Sequence, residues 1–305
     1  FNKDGNQISD WFGFIVESGL IKGESDYFIA RKDGKYAIFD KDGNQISDWF
    51  DNILTYGLVK GKSKYYIAAK DGKYAIFDID GNRISPQFDY IKEEGLVGGW
   101  SDYYIAVKGE KYAVYDKNGK QISPEWFDEI YLEGLIKGQS NYYIARKDNK
   151  VAIFDETGNQ ISEWFDWIEE YGLVRGQSEY YIVKKDGKEA IFHKDGRQIS
   201  QWFDDILAAG LVVGASKYYI AKEDGKKVIF DENGNMITKD WFDRIYPEGL
   251  VIGQSKYYLA EKDRKWAIFD ANGNRITEWY DGISTSGLVE GLSNYYIVIK
   301  DKKLW

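Results

Sequence analysis

The 305 residues contain no cysteine and only one histidine, His193. This excludes disulfides, thiolate metal sites and a cysteine nucleophile, and leaves too few ligands for a His/Cys zinc site. Compartment stays open, because a chain without thiols tolerates both oxidising and reducing surroundings. No run of 18 apolar residues occurs, so no transmembrane helix is expected. Basic residues are never gathered into a stripe. The net charge is −9, and lysines alternate with acids, which argues against a nucleic-acid groove or membrane insertion. Prolines number three (Pro86, Pro124, Pro247), and no Gly/Ser-rich linker interrupts the chain. A single domain over 1–305 is therefore expected. Phe1 stands in mid-motif, which reads as a fragment or a processed chain.

Aromatic residues are abundant, at 17%. They recur with a period. The glycine of an Asp-Gly-Asn type turn stands at Gly5, Gly43, Gly81, Gly119, Gly158, Gly196, Gly234 and Gly273. A fixed step of 38 or 39 residues marks a repeat protein of eight units. In residues 57–94, Tyr65–Ala69 and Tyr74–Asp78 are β-rich runs joined by Asp71-Gly72. Asp-Gly between such runs signals a hairpin, because glycine takes positive φ without a Cβ clash. Leu58–Lys60 adds a short apolar stretch, Arg83–Ser85 a brief return, and Phe88-Asp89-Tyr90-Ile91 a corner to the next unit. Each unit is an antiparallel β-meander of three or four strands. No segment carries a sustained helical period.

Side chains alternate between the faces of a strand. Tyr36 and Ile38 point one way, Ala37 and Phe39 the other, and both sets are apolar. A sheet apolar on both sides must be sandwiched, so neighbouring units supply the covers and one unit cannot fold alone. The fold class is all-β. A closed eight-bladed β-propeller is expected, with an open β-hairpin solenoid as the alternative. The terminal Lys-Asp-Lys-Lys-Leu-Trp matches Lys-Asp-Gly-Lys-Tyr-Ala, so Trp305 takes the slot of Ala37 and would meet Phe1 in a ring.

The run Lys73–Asp78, with Gly81 and Ile84, Phe88-Asp89 and Gly95-Leu96, resembles the bacterial WG-repeat (KWG-repeat) family, and the resemblance covers the whole chain. The family's Trp-Gly pair is Tyr-Ala here, as in Tyr36-Ala37, and Trp-Ala at Trp266-Ala267. The resemblance implies a β scaffold in a bacterial protein, secreted or at the cell surface, and carries over no catalytic residue. The Tyr-Tyr and Asp-Gly spacing also resembles the cell-wall-binding hairpins of choline-binding proteins, whose period is about half of this one and whose Gly-Trp pair is missing here.

Repetition sorts the chemical signals. Asp78-Ile79-Asp80-Gly81-Asn82 hints at calcium, but glycine comes too early for an EF-hand loop and no glutamate closes it, so a turn is expected. The corner aspartates Asp51, Asp89, Asp128, Asp166, Asp204, Asp243 and Asp281 read as caps of turn backbone. Ser25 and its seven equivalents read as turn hydroxyls, because one histidine cannot serve eight triads. His193 takes a slot held elsewhere by aspartate. The paired tyrosines, such as Tyr65-Tyr66, and the corner tryptophans read as core, with partners expected for buried hydroxyls. No catalytic residue, metal site or cofactor is assigned.

Four residues break the pattern. Trp100 replaces residues such as Glu24 and Lys62. Phe14, Tyr90 and Trp167 share a slot with Asn52, Glu129, Asp205 and Arg244. Aromatics that the repeat does not require are the candidate ligand-binding residues. The expected function is a non-enzymatic scaffold for protein–protein or cell-surface binding. The alternatives are a multivalent carbohydrate or cell-wall-binding module, and an extended surface adhesin or spacer.

Overall fold

In the computed structural model, which describes residues 1–301 and the backbone of Lys303–Leu304, the chain forms eight three-stranded antiparallel sheets, each from three consecutive strands. Trp305, and with it the expected meeting with Phe1, lies outside the described residues. Contacts divide the chain into two compact units, 1–149 with 153–160, and 150–152 with 161–305. All strand pairings described are within a repeat, and they give the all-β repeat architecture expected from the period.

Repeat two shows the pattern. A two-residue edge strand, Asn52–Ile53, pairs with Tyr65–Lys70, which pairs with Lys73–Asp78. Asp71 and Gly72 both take positive φ (53° and 73°), the two-residue turn whose twist matches that of the flanking strands. Asp78 then folds the Asp-Gly-Asn turn. Its Oδ1 accepts the N–H groups of Asp80 (3.0 Å) and Asn82 (2.8 Å), while Gly81 takes φ 80°. These oxygens do turn work. The return makes only isolated bridges, Phe77 with Arg83 and Tyr74 with Phe88. Two residues after Phe88, Tyr90–Ile91 begins the next sheet by pairing with Val107 and Ala106. The corner is thus the first strand of the following repeat. The short apolar stretch Leu58–Lys60 lies in a turn, with Leu58 and Val59 buried.

The core lies between sheets. In the first unit, Ile67 and Ile76 of repeat two pack with Tyr104, Ala106, Ala113 and Tyr115 of repeat three, closed in by Phe88, Ile91, Leu96 and Val97. In the second, Ile220 and Ile229 meet Tyr258, Ala260, Ala267 and Phe269 in the same way. Within each unit, a sheet thus presents an isoleucine face to its successor and an aromatic face to its predecessor. On the aromatic face the cross-strand rings stack, as Tyr104 on Tyr115 (5.6 Å) and Tyr258 on Phe269 (5.2 Å). Alanine at positions 106 and 113 leaves room for the facing isoleucines.

In six of the seven pairs the second tyrosine is core: Tyr66, Tyr104, Tyr143, Tyr181, Tyr219 and Tyr258 are fully buried and the tyrosine before each is half-buried, whereas Tyr295 and Tyr296 are both exposed. The hydroxyl partner expected for these core tyrosines is missing in five of them. Burial holds the Tyr104 phenol well above its ordinary range. It points toward Ser85, whose Oγ already accepts from Ile76 N–H and donates to the Pro86 carbonyl. The ring is what the interface needs, because a buried polar group without a hydrogen bond costs stability.

Two consequences are measurable by denaturant unfolding. Tyr104→Phe should leave stability unchanged or raise it, whereas Tyr104→Ala should cost about 3–5 kcal/mol through the cavity it opens. A large loss in the phenylalanine variant would show that the hydroxyl is satisfied. At Arg264, a side chain sits in the left-handed region (φ 63°) where other repeats have glycine, such as Gly72. Arg264→Gly should stabilise by about 0.5–1 kcal/mol, and a loss of similar size would contradict this.

Candidate functional site

Phe14, Tyr90 and Trp167 stand at the same place, the first residue of the edge strand in repeats one, three and five. They are 56%, 39% and 39% exposed. Each heads a row across its sheet: Phe14–Arg31–Tyr36, Tyr90–Val107–Tyr112 and Trp167–Lys184–Glu189. In other repeats the same row reads Asn52–Ala69–Tyr74, Asp205–Lys222–Lys227 and Arg244–Glu261–Trp266. Residues of every chemical type occur here, while the strand positions beside them keep one type. Trp100 is 43% exposed but lies elsewhere, in the turn that ends the Gly95–Trp100 segment. Trp100 therefore does not share the edge-strand position of the other three.

The row brings in residues that comparing single positions missed. Tyr74 of repeat two meets Tyr90 of repeat three edge-on at 5.6 Å, Lys92 lies 5.7 Å over the Tyr112 ring, and Arg31 lies 5.6 Å over Tyr36. Burial, then Glu93 and Glu94, raises the Tyr90 phenol, and burial, then Glu94, raises Glu93. Tyr74, Tyr90, Tyr112 and Lys92 thus form a partly dried aromatic patch beside an acidic pair. Variation at Arg31, Tyr74 and Tyr112 was visible in the sequence. Only the register shows that they join Phe14 and Tyr90.

A second feature is a groove of about 850 Å³ lined by Asp240, Phe242, Lys262, Asp263, Lys265, Phe269, Arg275 and Trp279, with Lys239. A groove of about 330 Å³ in repeat one uses the matching Asp10, Phe12, Lys32, Asp33, Lys35, Phe39, Gln45 and Trp49. Lys239 belongs to a one-residue insertion, as does Pro124 in repeat three. The Arg275 guanidinium lies 5.6 Å over Trp279, and Lys239 Nζ donates to Asn274 Oδ1. Lys262 and Lys265 pair with Asp240 and Asp281. Among the described residues no cluster of three or more His, Cys, Asp or Glu is placed to hold a metal ion. No helix among them is long and apolar enough to cross a membrane.

The corner aspartates cap turns, as expected, and also bridge repeats. Asp51 Oδ1 accepts from Lys35 of the preceding repeat, and its Oδ2 accepts the Asp71 amide (2.7 Å) in the following hairpin turn. Asp89 does the same with Lys73 and the Gly109 amide (2.7 Å), and Asp204 with Lys188 (2.7 Å) and the Asp224 amide (2.8 Å). His193, at the equivalent of a turn aspartate, contacts Glu179 (3.2 Å) and the Tyr180 ring.

No family model matches this chain, and no curated protein does. Among solved structures it is similar to Kluyveromyces lactis Hsv2 with complete loop 6CD, at 10% identity over 71% of this chain and 74% of that one, TM-score 0.30. It is also similar to the Cps50 (Swd1) β-propeller domain of Myceliophteria thermophila, at 15% identity over 85% and 99%, TM-score 0.29. Citrobacter koseri AztD aligns at 9% identity over 83% of each chain, TM-score 0.31. These scores are too low to argue from, and the fold assignment rests on the strand pairings.

The lysine hydrogen bond, then the turn amide, holds each corner carboxyl below the ordinary aspartate range. A depressed folded pKa contributes stability that is present above the unfolded value of about 3.9 and is lost as pH falls through the folded value. The thermal midpoint should therefore hold down to about pH 4 and drop below it, with a shallower drop in Asp89→Asn. An acid-insensitive midpoint would contradict this.

Proposed function

We propose that this chain is a non-enzymatic β-repeat scaffold that binds a protein partner through the variable cross-strand row, centred on Tyr74, Tyr90 and Tyr112. One observation carries the reading. The glycine of the Asp-Gly-Asn turn and the core faces are held constant from repeat to repeat, while the row at the sheet ends changes chemistry freely and Phe14, Tyr90 and Trp167 at its head are exposed. Tyrosines on a rigid surface supply contact area at small entropic cost, and rim charges such as Glu93, Glu94 and Lys92 select the partner. The resemblance to WG-repeat proteins supports a secreted or surface setting in a bacterium for this activity.

A photo-crosslinking amino acid at position 90, with position 110 in a hairpin turn as control, tests it in bacterial extract. A discrete adduct from position 90 alone, lost in Tyr74→Ser/Tyr112→Ser, is expected. Equal labelling from both positions, or adducts that survive the double substitution, would contradict it.

The groove at Trp279 favours a second reading, a carbohydrate-binding module with sites repeated along the array, as it recurs at matching residues in repeat one. Weak sites in series gain avidity without new contacts. Glycan-array binding lost in Trp279→Ala but kept in Tyr90→Ser would select this reading over the first.

A further inference from the structure

The groove between repeats six and seven differs from its counterpart in repeat one chiefly in charge. Both set an aromatic pair, Phe269 with Trp279 or Phe39 with Trp49, beside the two lysines of a hairpin turn. In repeat one the return residue is Gln45, whose Nε2 donates to Ser47 O (2.6 Å) and so stays with its own strand. At the matching position the Arg275 guanidinium lies 5.6 Å over the Trp279 ring. The one-residue insertion adds a second cation, Lys239. In repeat three the insertion brings Pro124, and the return residue of repeat four is Gln160. Lys239 and Arg275 thus come together at one place in the array.

The other two cations of the groove are neutralised. Lys262 pairs with Asp240, and Lys265 with Asp281. Among the described residues, Lys239 Nζ is held by the neutral Asn274 Oδ1 and Arg275 by the Trp279 ring, with no carboxylate on either. Asp270 feels the charge of Lys239 but is occupied by its own turn. Its oxygens accept the amides of Asn272 (2.9 Å) and Asn274 (2.8 Å) and the Nδ2 of Asn274 (3.1 Å). Asp263, in the hairpin turn, is the remaining carboxylate of the lining. Lys239 and Arg275 are both exposed.

We propose that this groove binds a sugar that carries a carboxylate, with Arg275 and Lys239 holding the carboxylate. The proposal rests on the carbohydrate reading of the groove and narrows it to one class. The indole face fixes the guanidinium before a ligand arrives, and the paired N–H donors of arginine match the two oxygens of a carboxylate. Lys239 adds a point charge, and the half-buried Trp279 ring gives the sugar an apolar wall. A space of about 850 Å³ suits a short oligosaccharide more than a single ion. Asp263 offers an acceptor to sugar hydroxyls and repels the second charge of a phosphate, which favours a singly charged group.

Isothermal titration calorimetry on the full chain tests this with two matched pairs: tetragalacturonate against its methyl ester, and sialyllactose against lactose. At least one acid should bind about tenfold or more tightly than its neutral partner, as charge-assisted hydrogen bonds would give. The preference should shrink as salt rises. Arg275→Gln, which gives repeat seven the side chain of Gln45, and Lys239→Gln should each weaken the acid and leave the neutral sugar unchanged. Both positions are exposed, so the far-UV circular dichroism spectrum should not change. Preference for tetragalacturonate would assign the carboxylate to a uronic-acid polymer, and preference for sialyllactose to a terminal sialic acid. Either supports the proposal. Neutral sugars that bind as tightly as the acids would overturn it and leave the carbohydrate reading standing. Binding of none of the four would overturn it too, and the glycan array then decides the carbohydrate reading separately. A preference for acid that survives the double substitution would put the carboxylate elsewhere and overturn the proposal as well.

Discussion

The seating of an isoleucine face on the aromatic face of the next repeat is the contact on which the rest of this structure depends. A three-stranded sheet with strands of six residues has no inside. Its two faces are apolar, and neither is covered until a neighbour arrives. Tyr104, Ala106 and Ala113 belong to one sheet, Ile67 and Ile76 to another, and the cluster exists only when both are present. Stability is then a sum of nearest-neighbour terms along the chain. Backbone complementarity adds direction to this apolar packing. Ser63 Oγ of one repeat donates to Val97 O of the next (2.7 Å), and a Cβ on Gly99 would stand 2.2 Å from Lys62 O, so the serine hydroxyl and the turn glycine meet partners only in one order and one register.

This constraint explains where the chain is free to vary. Residues at the junction are tied from both sides, by packing and by the hydroxyl bridge. The corner aspartate is tied as well, because its two oxygens serve a lysine before it and a turn amide after it. At the head of the row, Phe14, Tyr90 and Trp167 are exposed, while row members such as Tyr36 and Tyr74 pack only at the edge of a core cluster. Chemistry there can change without loss of the fold, and from repeat to repeat it does change. The division between a fixed junction and a free row is the physical basis of the proposal that the row binds a partner.

Much of this was legible in the residues. Asp71-Gly72 named its hairpin, since a turn with two positive φ values admits few other pairs. The alternation of Tyr36, Ala37, Ile38 and Phe39 gave both faces and the need for neighbours. Other features were hidden for identifiable reasons. A serine after a turn glycine bonds its own turn in any case, as Ser63 does with the Tyr65 amide. Nothing local announces that the same Oγ also reaches Val97, 34 residues away. The unpaired core hydroxyls were equally invisible, because tyrosine and phenylalanine fill the same slot at Tyr66 and Phe28. Phe14, Tyr90 and Trp167 were found by their departure from the pattern. Their row-mates Arg31 and Tyr112 were not, because strand register decides which residues lie opposite.

Amide dispersion in NMR spectra of two pieces of the chain tests the central claim most directly. Residues 52–88 hold one complete sheet with both faces uncovered. Residues 14–127 hold three sheets and two junctions. The narrow amide dispersion of an unfolded chain is predicted for the single repeat, and the wide dispersion of a folded β protein for the three. A single repeat that is monomeric and well dispersed would show that the sheet holds itself together, and would contradict an account in which the junction makes the fold.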